Sequence, residues 1–271
     1  MKEIKNTVII VNYNSSIFIE LSLFALFKLS NIKHSIIIAD NGSRDEDLFH
    51  LISISKKYNN VLILPRQQKE SASMAHGKAL EHLLNYVETP YVTVLDADAT
   101  FLLKGWDSKI ISYMKKDVCA IGSPLTIATG VNTNKYIDFP YMFSAVYKTE
   151  ILKSISHPFL PTQGKETIED TGWKIRQYCK ENNLQGLLFT GYNTRNYKNG
   201  PFYSVICSEY YWKDKLISSH FGRGSSDGEA KYLKKLHLPI LGPWLKKKKG
   251  QLEAKKWISL CYNIVKQQVS S

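Results

Sequence analysis

The sequence predicts an α/β fold with a mostly parallel sheet, followed by a basic helical tail. Short apolar runs alternate with amphipathic stretches through the first part of the chain, and this alternation is typical of βαβ units. The chain has 271 residues, of which 44% are hydrophobic, so it is long enough to bury a sizeable core. Polar clusters follow three of the apolar runs, at the position where ligands bind in open α/β sheets.

Apolar runs rich in β-branched residues define the predicted strands, and longer amphipathic stretches define the helices. The predicted strands of the first part are Thr7–Val11, Ser35–Ala39, Val61–Leu64 and Tyr91–Leu95. The predicted helices between them are Ile17–Leu29, Asp45–Tyr58 and Ser73–Val87. Ser15 or Ser16 can cap the first of these helices.

The pattern is less regular after Thr100. The expected elements there are helices Trp106–Lys115 and Glu169–Glu181, strands Cys119–Ser123 and Tyr141–Tyr147, and loops Thr126–Pro140 and Gly191–Pro201. A last helix is expected over Leu252–Val265, where apolar residues recur at helical spacing.

The net charge of +12 is concentrated at one end of the chain. Residues 229–271 contain ten lysines and two glutamates, so this tail carries +8. Such a concentration favours an anionic partner, either a lipid surface or a polyanion. The four cysteines are widely spaced, without CxxC or zinc patterns, so we expect reduced, mostly buried thiols and a cytoplasmic location. No apolar run reaches the roughly 20 residues that span a bilayer.

Three strand ends carry the polar clusters, which are Asn12-Tyr13-Asn14, Asp40-Asn41-Gly42-Ser43 and Asp96-Ala97-Asp98. Asp96 and Asp98 are two residues apart and face the same way on an extended strand. Two adjacent carboxylates repel each other unless a cation lies between them, and Mg²⁺ or Mn²⁺ binds such oxygen ligands together with substrate phosphates. The alternative is a solvated strand end or an Asx turn.

The order and spacing of these clusters over Thr7–Phe101 resemble the family 2 glycosyltransferases of the GT-A fold. The resemblance implies a DxD motif in which Asp98 coordinates a divalent metal, with Asp96 contacting the metal or the donor's ribose or sugar. It also implies donor binding by the other strand-end residues Asn12, Tyr13, Asn14, Asp40 and Asn41, and more loosely by Arg66.

Glu169-Asp170 is the predicted catalytic pair. Sugar transfer needs a carboxylate to accept the proton of the attacking hydroxyl. The family resemblance implies that Asp170 is this base, although Gly172-Trp173 departs from the usual pattern. The alternative is simple capping of the following helix, where the macrodipole favours carboxylates.

His220 and Arg223 lie in the glycine-rich segment Ser219–Ser225. The resemblance implies that a late histidine completes the metal shell, and His220 occupies that place. Arg223 is predicted to meet the diphosphate, because guanidinium matches phosphate geometry.

The resemblance therefore implies an inverting glycosyltransferase that uses Mn²⁺ or Mg²⁺ and moves a sugar from a UDP- or dTDP-sugar to a glycan or lipid-linked acceptor, as in surface polysaccharide, lipopolysaccharide or capsule synthesis. Residues 1–105 form the donor-binding half, 106–228 the acceptor-binding and catalytic half, and 229–271 the tail. A nucleotidyltransferase is disfavoured because the loop after the first strand has no glycine. A nucleic-acid-binding module is disfavoured because the basic residues are concentrated in the tail.

Tryptophan beside lysines in the tail is typical of an interfacial element. One hypothesis is a peripheral position on an anionic membrane, at the inner face of the plasma membrane. The other is a solvated helix that packs back on the catalytic domain.

Overall fold

The computed structural model describes residues 4–70, 72–126, 135–163, 168–226, 229–230 and 241–270. The strands in these ranges are β1 (Asn6–Asn12), β2 (His34–Asp40), β3 (Val61–Pro65), β4 (Tyr91–Asp96), β5 (Ala99–Phe101), β6 (Val118–Gly122), β7 (Ser144–Lys148), β8 (Thr162–Gln163), β9 (Ile168–Glu169), β10 (Gln185–Leu188), β11 (Thr190–Asn193), β12 (Ser208–Trp212) and β13 (Lys215–His220). The α-helices are α1 (Ser16–Leu29), α2 (Asp45–Ser55), α3 (Ala72–Leu84), α4 (Trp106–Ile111), α5 (Thr149–Lys153), α6 (Trp173–Glu181) and α7 (Leu241–Ser270), and a 3-10 turn covers Gly224–Ser226.

A seven-stranded sheet in the order β10-β6-β7-β4-β1-β2-β3 forms the centre of the molecule. Strands β1 to β4 are parallel to one another, whereas β7 runs antiparallel to both β4 and β6. Every residue of β1 is buried, as expected for a central strand covered on both faces. The structure thus confirms the predicted α/β fold with a mostly parallel sheet.

The core lies on both faces of this sheet. Along β1, Val8 and Ile10 belong to one apolar cluster, whereas Ile9 and Val11 belong to the other, because successive side chains of a strand point to opposite faces. Helices α1 and α7 contribute to the first cluster, and α3 and α6 contribute to the second. All four cysteines are free and buried, as predicted.

A second, antiparallel sheet has the order β11-β12-β13-β5. It joins the end of the DxD segment to a late part of the chain, since β13 pairs with β5 and places His220 opposite Ala99. The hydroxyl of Ser218 in β13 lies 2.9 Å from that of Ser144 in β7, so the two sheets are also linked side by side.

Several predicted elements were wrong in detail. The helix predicted to reach Lys115 ends at Ile111, and the helix predicted over Leu252–Val265 spans Leu241–Ser270. The predicted helix Glu169–Glu181 begins only at Trp173, after Gly172 with φ of +85°, and Glu169 belongs to the short strand β9. Asp170 is therefore not in a helical first turn, and the capping alternative loses its basis. The predicted loop at Gly191–Pro201 begins inside β11, which pairs with β12. Much of the loop predicted at Thr126–Pro140 falls outside the described residues.

Helix α7 packs on the α/β domain mainly through its second half. Trp257, Cys261 and Val265 recur every four residues and are fully buried. Aromatic rings of α1 contact this part of α7. The ring centroids of Phe18 and Trp257 are 6.0 Å apart, and those of Phe24 and Tyr262 are 5.1 Å apart. The first half differs, because Trp244 and Leu252 are 55% and 60% exposed. The second half of the helix therefore fits the hypothesis of a tail that packs back on the domain, and membrane association stays a prediction.

Within the part of the chain that the structure describes, no helix is both long and apolar enough to cross a membrane.

Candidate active site

A cavity of about 500 Å³ opens at the carboxyl ends of β1, β2 and β4. The segment that precedes β7 and the loops that follow β3, β9 and β13 complete its walls. Its lining includes the predicted site residues Tyr13, Asn41, Asp96, Asp98, Asp170, His220 and Arg223. The chain thus brings residues from the first strand and from beyond position 220 to one place.

Asp96, Asp98 and His220 form a cluster whose ligand atoms all lie within 4.8 Å of one another. His220 Nε2 is 3.3 Å from Asp98 Oδ1 and 3.5 Å from Asp96 Oδ2. Asp96 ends β4, Asp98 lies in the turn before β5, and His220 ends the strand that pairs with β5. The pairing of β5 with β13 therefore assembles this cluster.

Backbone groups hold the Asp98 carboxylate in place. Its Oδ2 atom accepts hydrogen bonds from the N–H groups of Arg223 at 2.6 Å and Gly224 at 2.7 Å. A Cβ at position 224 would lie 2.8 Å from Asp98 Cβ, so only glycine allows this approach. The backbone N–H of Phe221 also donates to the Asp98 carbonyl.

The three groups of the cluster perturb one another. Burial raises the pKa of Asp96 above its ordinary value, and the nearby His76 and His220 offset only part of this rise. Burial also raises the pKa of Asp98, but His220 and the two backbone N–H groups outweigh it and the net shift is downward. Burial lowers the pKa of His220, and the Asp98 carboxylate more than compensates, so the net shift is upward.

These donors fit a divalent cation such as Mn²⁺ or Mg²⁺. Two carboxylates and an imidazole nitrogen supply the oxygen and nitrogen ligands that suit Mn²⁺, and carboxylates suit Mg²⁺. The pKa of Asp96 is raised mainly by burial, and a bound cation would favour its ionised form. The structure brings together all three predicted ligands, and their role in coordination stays a prediction.

Asp170 lies on the wall of the same cavity, between β9 and α6. One oxygen accepts a hydrogen bond from Lys135 Nζ at 2.6 Å, and the other accepts one from the N–H of Thr171 at 2.9 Å. Burial raises the pKa of Asp170, but these bonds outweigh it and the net shift is downward. The carboxylate is therefore held in its basic, ionised form. The side chain of Glu169, the second predicted catalytic residue, lies outside the described residues.

The predicted donor-binding residues occupy two positions relative to the cavity. Tyr13 and Asn41 line it, and Tyr13 is 37% exposed. Asn12 and Asp40 are buried behind them and bond to each other at 2.8 Å. They do not belong to the described lining.

The other two residues predicted to bind the nucleotide-sugar donor, Asn14 and Arg66, form hydrogen bonds with neighbouring side chains or backbone. Asn14 Oδ1 accepts a hydrogen bond from the N–H of Arg44. Arg66 donates to Asn41 Oδ1 and so orients an amide that does line the cavity. Their roles in donor binding stay predictions.

Arg223 points in a direction that the sequence did not predict. Its guanidinium bonds to Glu253 of α7 and to the carbonyl of Ile206, each at 2.8 Å. Its backbone N–H, rather than its side chain, faces the acidic cluster. In this structure the guanidinium is bound to α7, and contact with a diphosphate stays a prediction.

Sequence reasoning left His76 and Gln68 out of the site, although both line the cavity. His76 Nε2 is 3.6 Å from Asp96 Oδ1, so Asp96 lies between two imidazoles. The sequence signal for His76 was its position near the start of the helix that follows β3. A helix after a parallel strand begins at the carboxyl edge of the sheet, where the DxD motif also lies.

Comparisons with known proteins identify the family of the chain. The chain matches the family described as Glycosyl transferase family 2 over residues 7–168, which is more than half of its length. No curated protein gives a significant match. Asp170 and His220 lie beyond the matched range.

Among solved structures, the chain is similar to the mannosyltransferase PcManGT from Pyrobaculum calidifontis, described in complex with GDP-Man and Mn²⁺. The identity is 15% and the TM-score 0.51, with 68% of this chain and 54% of that protein covered. It is also similar to S. aureus TarS 1-349, with 13% identity, a TM-score of 0.51, and 98% of this chain and 88% of that one covered. This chain spans about half the length of the mannosyltransferase.

At these identities the solved structures support the fold, namely GT-A, and the family match supports the class of enzyme. The family match favours the glycosyltransferase over the nucleotidyltransferase alternative. The chain belongs to glycosyl transferase family 2.

Proposed function

We propose that this protein is an inverting, metal-assisted glycosyltransferase that moves a sugar from a nucleotide-sugar donor to a hydroxyl of a glycan or lipid-linked acceptor. One observation carries the proposal: the Asp96–Asp98–His220 cluster and the Asp170 carboxylate line a single cavity at the carboxyl edge of the sheet. The size of this cavity, about 500 Å³, is within the range of small-molecule sites.

Asp98, His220 and Asp96 would hold Mn²⁺ or Mg²⁺. When bound, such an ion supplies positive charge that offsets the charge developing on the departing diphosphate. Asp98 keeps its carboxylate ionised and oriented through the backbone N–H groups of Arg223 and Gly224.

Tyr13 and Asn41 are proposed to contact the nucleotide, because they line the cavity at the ends of β1 and β2. Arg66 and Asp40 support this wall from behind, through Asn41 and Asn12. We favour UDP- or dTDP-sugars as donors, and the GDP-Man bound by the Pyrobaculum enzyme makes GDP-sugars the first alternative to test.

Asp170 is proposed as the general base. The acceptor oxygen forms a bond to the anomeric carbon while the bond from that carbon to the diphosphate oxygen breaks, and the hydroxyl proton passes to Asp170. Such a step inverts the configuration of the sugar. The downward shift in the pKa of Asp170 keeps the carboxylate ionised at neutral pH, and it makes the group a weaker base than an ordinary aspartate.

The test separates binding from chemistry. Asp98→Ala should lose both transfer and Mn²⁺-dependent binding of the donor, whereas Asp170→Asn should lose transfer and retain binding. The exposed Asp117 allows a matched control, Asp117→Asn, which should change neither. Binding is measured by thermal shift across UDP-, dTDP- and GDP-sugars with and without Mn²⁺, because a ligand of the folded state raises its apparent stability. Full transfer by either active-site variant would refute the assignment.

A second proposal concerns the first half of α7. Exposed Trp244, with Lys248 Nζ 4.8 Å from its ring centroid, lies beside the exposed Lys247 and Lys249. We propose that this surface binds an anionic membrane at the inner face of the plasma membrane and brings the cavity to a lipid-linked acceptor. Such an acceptor would suit polysaccharide, lipopolysaccharide or capsule synthesis.

Vesicle sedimentation tests this proposal without truncating the helix, whose second half belongs to the core. Neutralising Lys247 and Lys248 with glutamine should weaken binding to vesicles with anionic lipid about 30-fold, at about 1 kcal/mol for each basic residue. The exposed pair Lys115 and Lys116 provides a control with the same change in charge. Equal loss in both variants, or none in either, would refute a specific role for α7.

A further inference from the structure

The segment 219–224 lies between the acidic cluster and helix α7. On its cavity side it carries the imidazole of His220 and the two N–H groups that bind Asp98. On its other side it contacts α7 at three alternate residues, which are Ser219, Phe221 and Arg223.

The contact at Arg223 is an ion pair with Glu253. Arg223 Nη2 lies 2.8 Å from Glu253 Oε2, and the two side chains are only 9% and 14% exposed. The guanidinium also lies over the ring of Phe221, with its Cζ atom 4.2 Å from the ring centroid. A charge pair with so little solvent around it is screened much less than a surface pair.

The other two contacts converge on Trp257, one turn further along α7. Its indole Nε1 donates to Ser219 Oγ at 2.9 Å, and its ring lies 5.9 Å from that of Phe221. Glu253 and Trp257 are four residues apart and therefore share one face of the helix. This face contacts the chain on both sides of His220.

We propose that Glu253 is a positioning residue for metal binding. It fixes the side chain of Arg223, and the backbone of Arg223 in turn fixes the carboxylate of Asp98. This inference rests on the proposed metal-dependent function. It adds α7, which the sequence predicted only as a tail, to the elements that orient the cluster for metal binding. Loss of a group that orients a metal ligand typically weakens metal binding about 10- to 100-fold.

Glu253→Gln tests the proposal, because it keeps the shape of the side chain and removes its charge. Two quantities are measured: the Kd for Mn²⁺, from the EPR signal of the free ion, and the hydrogen-exchange rates of the Arg223 and Gly224 amides in metal-free protein. We expect the Kd to rise about tenfold and both amides to exchange faster. The exposed Glu150 gives the matched control Glu150→Gln, which should leave both quantities unchanged.

A double-mutant cycle distinguishes positioning through Arg223 from general destabilisation. If Glu253 acts through Arg223, the effect of Glu253→Gln on the Kd should disappear in an Arg223→Gln background. Additive effects, or unchanged Kd and exchange in Glu253→Gln, would overturn the proposal. Amide exchange needs no metal, so a wild-type protein that binds no Mn²⁺ counts against the proposed function, whereas faster exchange in Glu253→Gln still supports the contact.

Discussion

Lys135 donates a hydrogen bond of 2.6 Å to the carboxylate of Asp170, and so a lysine is bound to the proposed base. The bond has two opposed consequences for catalysis. It keeps the carboxylate ionised, and, because the Thr171 N–H bonds to the other oxygen, both oxygens that could accept a proton already hold a hydrogen bond.

Replacing this lysine should shift the pH dependence of transfer. In Lys135→Met the pKa of Asp170 should rise, because burial then acts against fewer stabilising bonds. The base is active when deprotonated, so the acid limb of kcat should move to higher pH. A pH–rate profile at saturating donor checks this. The exposed Lys56 provides the control Lys56→Met, and an acid limb that stays in place would contradict the prediction.

A single methyl group at position 224 should weaken metal binding. In Gly224→Ala the new Cβ would lie 2.8 Å from Asp98 Cβ, so the turn must move and its hydrogen bonds to the carboxylate lengthen. We expect Mn²⁺ affinity to fall about tenfold or more. Calorimetry without nucleotide measures this, with Ser225→Ala at the next position as control. Equal affinity in wild type and Gly224→Ala would show that the close approach has no role in metal binding.

Asp107 should stabilise the fold in a pH-dependent way. It is fully buried and accepts bonds from the backbone N–H groups of Asn31 and Ile32 and from His34. Burial raises its pKa, but these bonds outweigh it, so the pKa in the folded state is below the ordinary 3.8. Asp107→Asn should cost about 2 kcal/mol at neutral pH.

The direction of this pH dependence follows from the linkage between protonation of Asp107 and folding. Because folding lowers this pKa, the stabilisation is complete above about pH 4 and is lost as the pH falls through the folded-state pKa. Urea denaturation at pH 7 and pH 3 should therefore show a smaller difference between wild type and Asp107→Asn at the lower pH. Asp117→Asn, at an exposed position, is the control. A difference that grows on acidification would contradict the assignment.

The two halves of α7 should respond differently to the same substitution. Trp257 is fully buried, so Trp257→Ala should cost about 3–5 kcal/mol in unfolding free energy. Trp244 is 55% exposed, and Trp244→Ala should stay within about 0.5 kcal/mol. Denaturant titration of both variants measures this. Equal effects would mean that the helix does not pack through its second half.

Strands β1, β2 and β4 were predictable from the sequence because they are largely buried on both faces. Such strands are continuous apolar runs, and β1, β2 and β4 are visible for this reason. The polar residues that follow them identified the cavity edge and both carboxylates of the DxD motif. The family resemblance supplied the roles of Asp170 and His220, which no local pattern indicates.

The hairpin of β12 and β13 was missed for a specific reason. Its turn residues, Lys213 and Asp214, both have positive φ, of 49° and 61°. Asn-Gly or Asp-Gly is the usual signal for such a turn, and Lys-Asp carries no such signal. The direction of the Arg223 side chain was also beyond local reasoning, because it depends on Glu253, thirty residues away.

The packing of α7 against α1 has a consequence for synthesis of the chain on the ribosome. Phe18 and Phe24 emerge early, but their partners Trp257 and Tyr262 follow more than two hundred residues later. At about 5–20 residues per second, this apolar face of α1 stays uncovered for roughly 10 to 50 seconds. The nascent first half therefore presents a hydrophobic stripe that a chaperone can bind, until the last helix arrives to cover it.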